Sequence, residues 1–239
     1  MQSMRFQRRL SHLVLAGLAG SGLPSGADAG QPPEIRVGIV VEPPAAAAVH
    51  DLTPMVAEAD AIWRPHGVTI GLVARDDVAA GWVRMSVFLE ATASRGHQSV
   101  GLGSIWFAED GLPAPLIRLN VSAVSVRIRS ERIGGRRFDS WPQSLERRIT
   151  TRALGRVLAH EVGHYVLASP AHSRSGLMRA SFSGRQLAEW DRSSFALEPV
   201  VLPRLRARLA RLASAQNPLV AERADPNDHD REDSSAMKH

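Results

Sequence analysis

Between Leu145 and Met178 the chain reads LERRITTRALGRVLAHEVGHYVLASPAHSRSGLM, and no other stretch restricts the fold so tightly. From Ser144 to Ala168 there is no proline, and Ile149, Ala153, Val157, His160, His164 and Leu167 recur at helical spacing along one stripe. The run predicts one helix whose stripe faces the protein. His160 and His164, four residues apart, then lie one above the other. Two imidazoles so placed can grip a single metal ion. Glu161, about 100° further round the axis, can reach a water on that ion without ligating it. Zinc suits the pattern, because a catalytic zinc site takes three protein ligands and keeps one position open. The competing reading is a pair of satisfied core histidines, and the residues beyond the helix weigh against it.

Ser169-Pro170 stops the helix, since Pro170 has no N–H and biases Ser169 away from helical geometry. A helix running to Ala168 climbs about 6 Å past His164, and four extended residues return about 13 Å, so His172 can reach the same ion. Water activated on such a centre, with Glu161 taking its proton and handing it to a leaving amine, makes amide hydrolysis the expected reaction.

The run HEVGHYVLASPAHSRSGLM resembles the metzincin-type zinc peptidases, with HExxH, a chain reversal, a third His followed by Ser, and then a Met. It is similar again to small bacterial zincin-like proteins that carry HExGHxLL, then HSxxGLMRA, and a terminal Leu/Arg-rich helix. The resemblance implies an α+β, zincin-like fold: a small mixed twisted sheet packed on the HExxH helix, with a C-terminal helix. It implies a Zn2+ ion held by His160, His164 and His172, with Glu161 as catalytic base and acid. It also implies that Met178 forms a hydrophobic floor beneath the metal in a tight turn, whereas from the residues alone Met178 reads as a core methionine. Two features depart from the metzincin pattern. The interval between the second and third His is longer by two, and Leu167 stands where the reversal glycine would be. In gluzincin-type zinc peptidases a Glu on a following helix completes the site, which makes Glu189 in LAEWD the rival third ligand. An exposed-looking helix glutamate is more often a solvated charge.

A chain of 239 residues with 44% apolar content supports one globular domain with its own core. Residues 1–29 read as a signal peptide, with Arg5, Arg8 and Arg9 ahead of an apolar run from Leu10 to Leu23 and Ala27-Asp28-Ala29 as the cleavage site. Arg8-Arg9 hints at twin-arginine export, but Leu10-Ser11-His12 fits that pattern poorly. The domain is placed at 30–215 and a disordered acidic tail at 216–239. A secreted or periplasmic protein of a bacterial envelope is expected, with no stable membrane insertion once the signal is removed. The absence of cysteine excludes disulfides and thiolate ligation, so any metal must be held by His and carboxylates.

Ile35–Val41 reads as a buried strand, Thr53-Pro54 as the start of a helix with Met55, Ala59, Ile62 and Trp63 on its apolar face, and 68–73 as a second, parallel strand. Further strands are expected at 82–90, 103–108 and 115–121. One of the last two would be an edge over the active helix, and the metzincin resemblance implies that extended substrate adds to that edge as a strand. Residues 122–133 read as a helix ended by Gly134-Gly135, followed by a mobile Arg-rich linker, and Glu198-Pro199 opens a last helix to about Ala213. His97 and Tyr165 carry no expected role beyond solvation and packing.

The expected partner is a peptide or protein substrate. A catalytically inactive secreted binding protein on a zincin scaffold is the alternative. A nucleic-acid or membrane-surface binder comes last: the net charge of +5 is spread over scattered arginines, and aromatics are too sparse for base stacking. The patch of Arg127, Arg129, Arg132, Arg136 and Arg137 is the one basic cluster that could meet an acidic surface.

Overall fold

The computed structural model describes residues 34–43, 52–77, 81–91, 101–133, 135–137 and 140–216. The chain divides into Met1–Gln31 and Pro32–His239, and the described residues all belong to the second unit. The expected signal peptide, the loop around His97 and the acidic tail beyond Gln216 lie outside the described residues.

The β-branched run Ile35–Val41 forms β1, which pairs in parallel with β2 (Val68–Leu72) on one side and β3 (Trp82–Glu90) on the other. A strand with parallel neighbours at both edges is buried, which is why β1 is nearly continuously apolar. Between β1 and β2 runs α1 (Thr53–Trp63), opened by Pro54 where a missing N–H costs nothing. β5 (Pro113–Asn120) continues the parallel set beside β3, and β4 (Gly103–Phe107) adds to β5 in the antiparallel sense. The sheet order is therefore β2-β1-β3-β5-β4, with β4 at the edge. That settles which of the two candidate strands is the edge: 103–107, not 113–120.

After β5 the Asn120 side chain accepts the Ala123 N–H at 2.8 Å and caps α2 (Val121–Arg129). The helix expected to run to Ile133 ends four residues earlier. Ser130 bends its hydroxyl back to the Arg127 carbonyl at 2.8 Å, and the chain then forms the two-residue strands β6 (Arg132–Ile133) and β7 (Arg136–Arg137) as an antiparallel pair. Gly135, at φ 76°, serves the turn of this hairpin rather than a helix end. The stretch expected to be a mobile linker thus contains a small ladder.

The long helix, α3, spans Gln143–Leu167. It differs from the expected one-sided helix, for every residue from Ala153 to His164 is buried. α1, β4, β5, the short α4 (Gly184–Ala188) and α5 (Leu202–Gln216) all pack on it. Leu154 and Leu158, at 0% exposure, contribute about 1.5–3 kcal/mol each. Trp63 donates its indole N–H to the Ala159 carbonyl at 2.8 Å, pinning α1 to the turn of α3 that precedes His160. α5 buries Leu205 and Leu209 as its spacing predicts. Among the described residues no helix is long and apolar enough to cross a membrane.

Candidate metal centre

His160 and His164 are buried on consecutive turns of α3, with ring centroids 4.7 Å apart and planes at 88°. Each ring is held from behind by the backbone. His160 donates from Nδ1 to the Leu177 carbonyl at 2.7 Å, and His164 donates from Nδ1 to the Ser169 carbonyl at 2.6 Å. These bonds place the proton on Nδ1 and leave each Nε2 with a lone pair. The two Nε2 atoms face each other at 3.1 Å. Two lone pairs at that distance repel unless a cation lies with both. An imidazolium is disfavoured, because burial above all pushes His160 down to about 4, with His164 and His172 adding to the effect.

The third ring comes from the chain after the reversal. His172 stacks on His160 at 5.3 Å and 11° and meets His164 edge-on at 4.9 Å and 88°. One potential ligand atom from each of the three rings lies within 4.8 Å of the others. This all-nitrogen donor set fits a tetrahedral zinc ion with one position left open. Phe107 and Phe182 stand edge-on to His164 and His160 and give the rings an apolar shell.

Glu161 opens with the three histidines onto a cavity of 530 Å³. Its carboxyl makes no hydrogen bond with a described residue, and burial pushes it up to about 8. The carboxyl lies under the edge strand at Gly103, where a Cβ would stand 2.8 Å from both Glu161 Oε1 and Val157 Cγ1 and would force them to shift.

Two turns deliver His172 and Met178. At the end of α3, Ala168 takes the left-handed conformation at φ 46°, its N–H reaching the Tyr165 carbonyl and that of Ser169 the His164 carbonyl, both at 3.1 Å. This is a Schellman ending, the geometry for which a glycine is usual, supplied one residue after Leu167 by an alanine. Further on, Ser173 N–H bonds the Met178 carbonyl at 2.7 Å, Ser175 N–H bonds Glu198 at 2.8 Å, and Leu177 N–H bonds the Ala196 carbonyl at 3.1 Å. The turn is thereby stapled to the segment ahead of α5. Met178 is buried, and its sulfur occupies the room that a side chain at Gly163 would need. The glycine of HEVGH is therefore the space into which Met178 packs.

The structure thus brings His160, Glu161, His164 and His172 to one cavity with Met178 packed behind. Glu189 is elsewhere: it ends α4, pairs with Arg185 at 2.5 Å and stands outside the histidine cluster. Tyr165 packs against the core. The arginine patch is divided, with Arg127 on the histidine cavity, Arg129 on a second cavity and Arg132, Arg136 and Arg137 in the hairpin. The carbonyls of Leu177 and Ser169, which orient the two ligand rings, had no side-chain signature by which the sequence could disclose them. Gly103 had a faint one, as a glycine opening a strand.

No family model and no curated protein matches this sequence. Among solved structures the chain is similar to archaemetzincin from Methanopyrus kandleri, at 13% identity and a TM-score of 0.44, over 77% of this chain and 99% of that one. The chemistry of the site rests on its own side chains.

Proposed function

We propose that this protein is a zinc-dependent peptidase. The observation that carries the reading is the pair of Nε2 lone pairs 3.1 Å apart, each fixed by a backbone carbonyl behind its ring, with His172 beside them and Glu161 on the same cavity. His160, His164 and His172 would hold the ion. Zinc bound there supplies a Lewis acid that brings the pKa of water toward neutrality and polarises a carbonyl. A cation beside Glu161 offsets its desolvation and favours the carboxylate. The carboxylate then accepts the proton of an attacking water and delivers it to the leaving nitrogen. β4, paired on one side with β5 and unpaired on the other among the described strands, offers its free edge to an extended peptide.

The test is metal content and turnover measured together. About one zinc per chain is expected by elemental analysis, with chelator-sensitive cleavage of a mixed peptide library. Glu161→Gln should keep the zinc and lower turnover by at least 10²-fold. Cleavage that survives this substitution would remove Glu161 from the mechanism. Stoichiometric zinc without cleavage of any peptide would instead favour a binding protein on the same scaffold.

A further inference from the structure

A second cavity, of 760 Å³, shares no lining residue with the one at the histidines. It lies along the N-terminal half of α3, from Gln143 to Leu154, and is walled by α1, α2 and Trp190. Those α3 residues rise about 16 Å along the axis, the span of about five extended residues. Its charge is one-sided. Arg129, Arg147, Arg148, Arg152 and Arg192 line it against Glu58 and Glu146, and Glu58 is already bonded to Arg156 and Arg192. Among the described residues, Arg129, Arg147, Arg148 and Arg152 have no carboxylate partner.

The cations are held together against their repulsion. Arg148 and Arg152 are four apart on α3, a like-charge spacing that destabilises a helix. Arg152 is nevertheless fixed, donating to the carbonyls of Ala188 at 3.1 Å and Glu189 at 3.4 Å. Its guanidinium carbon lies 3.5 Å from the ring centroid of Trp190, and that of Arg148 lies 5.6 Å from it. Trp190 is itself 68% exposed, a large aromatic left at the cavity rim. Burial, followed by the charge of Arg156, pulls the Arg152 guanidinium below its ordinary range. The remaining polar walls are Ser125 on α2, Gln143 and Ser144 in the first turn of α3, and Thr150 and Thr151 two turns further in, all able to donate hydrogen bonds. Ala57, Val121 and Leu154 supply apolar wall between them.

From this arrangement we infer that the cavity binds an acidic peptide segment in extended form, its carboxylates taken by Arg129, Arg147, Arg148 and Arg152. Guanidinium forks match carboxylates in pairs, and several spread along a groove match a chain of them better than one small anion. The site is independent of the peptidase reading, since it needs neither the metal nor Glu161.

The experiment uses the full chain carrying Glu161→Gln, so that no cleavage consumes the probe. A fluorescein-labelled decapeptide alternating Glu and Ala is titrated by anisotropy, beside the same peptide with Gln in place of Glu. The Glu peptide should bind at least tenfold more tightly, and its affinity should fall as salt is added. The double substitution Arg147→Glu, Arg148→Glu should weaken it at least tenfold, whereas Arg36→Glu, in β1 and outside the cavity lining, should leave it within twofold. Arg129→Glu, on a different helix, gives the same loss and keeps the test decisive if the double variant folds poorly by circular dichroism. Equal binding of the two peptides, or indifference to these charge reversals, overturns the inference. So does displacement of the probe by inorganic phosphate at lower concentration than by unlabelled Glu peptide, which would make the cavity a phosphate site.

Discussion

Glu161 and His160 are adjacent in the chain, both buried, and pulled in opposite directions by the same low dielectric. Desolvation penalises whichever form is charged, so the carboxyl rises to about 8 while the imidazole falls to about 4. In protein stripped of metal these shifts set opposite limbs of the stability curve. The Glu161 contribution is complete below its unfolded value near 4.5 and is lost as pH climbs through 8. The His160 contribution is complete above 6.5 and is lost as pH falls toward 4. Glu161→Gln removes only the alkaline limb. In chelator, the variant should be more stable than the parent at pH 8–9 by about 1–3 kcal/mol, the range for a buried polar group relieved of an unmet demand, and the two should converge near pH 5. Thermal unfolding across pH checks this, and parallel curves would show that the carboxyl is solvated in the folded protein.

At the scale of elements, the join between α3 and the turn that carries His172 is where the sequence and the structure meet least directly. The HExxH helix could be read because proline is absent and apolar residues recur with the helical period, and the strands because their β-branched runs are bounded by turn residues. The stop of the helix could be read from Ser169-Pro170, but the left-handed residue that turns the chain could not, since its usual marker, glycine, is missing. Ala168 adopts the left-handed conformation regardless, because the paired bonds to Tyr165 and His164 and the docking of His164 on the Ser169 carbonyl together outweigh the cost of a Cβ there. The early end of α2 is hidden for a similar reason: Ser130 competes through its hydroxyl, which the spacing of apolar positions does not record. For an L-residue the left-handed geometry costs about 1–2 kcal/mol, partly offset in a glycine variant by greater freedom of the unfolded chain. Ala168→Gly should therefore stabilise the protein by about 0.5–1 kcal/mol in urea unfolding, with zinc content unchanged. A loss of stability would mean that the reversal is not strained.

For the whole molecule, one buried arginine joins the helix that carries the histidines to α1 and to the segment after α4. Arg156, at 0% exposure, lies one turn ahead of His160; it donates to Glu58 on α1 at 2.9 Å and to the Asp191 carbonyl at 3.0 Å, and its guanidinium stands over Phe195. Phe195 stacks on Phe182, and Phe182 is edge-on to His160. Burial alone would raise the Glu58 carboxyl, but hydrogen bonds from Arg192 and Arg156 outweigh it and hold the group below its ordinary range. Glu58 thus pairs with two cations, one of them fully desolvated. Breaking a buried pair by neutralising one partner strands the other charge, which costs about 3–5 kcal/mol, while an exposed pair is worth about 0–1. Glu58→Gln should accordingly lower the urea midpoint by an amount equal to about 3 kcal/mol with little change in slope. Glu189→Gln, which dissolves only the surface pair with Arg185, should leave the urea midpoint at that of the parent. The same variant should retain its zinc, because the carboxylate of Glu189 belongs to Arg185 and not to the three imidazoles. Zinc lost from Glu189→Gln at full stability would reopen the choice of third ligand, and equal destabilisation by the two substitutions would deny Arg156 its place as the buried link between α1 and α3.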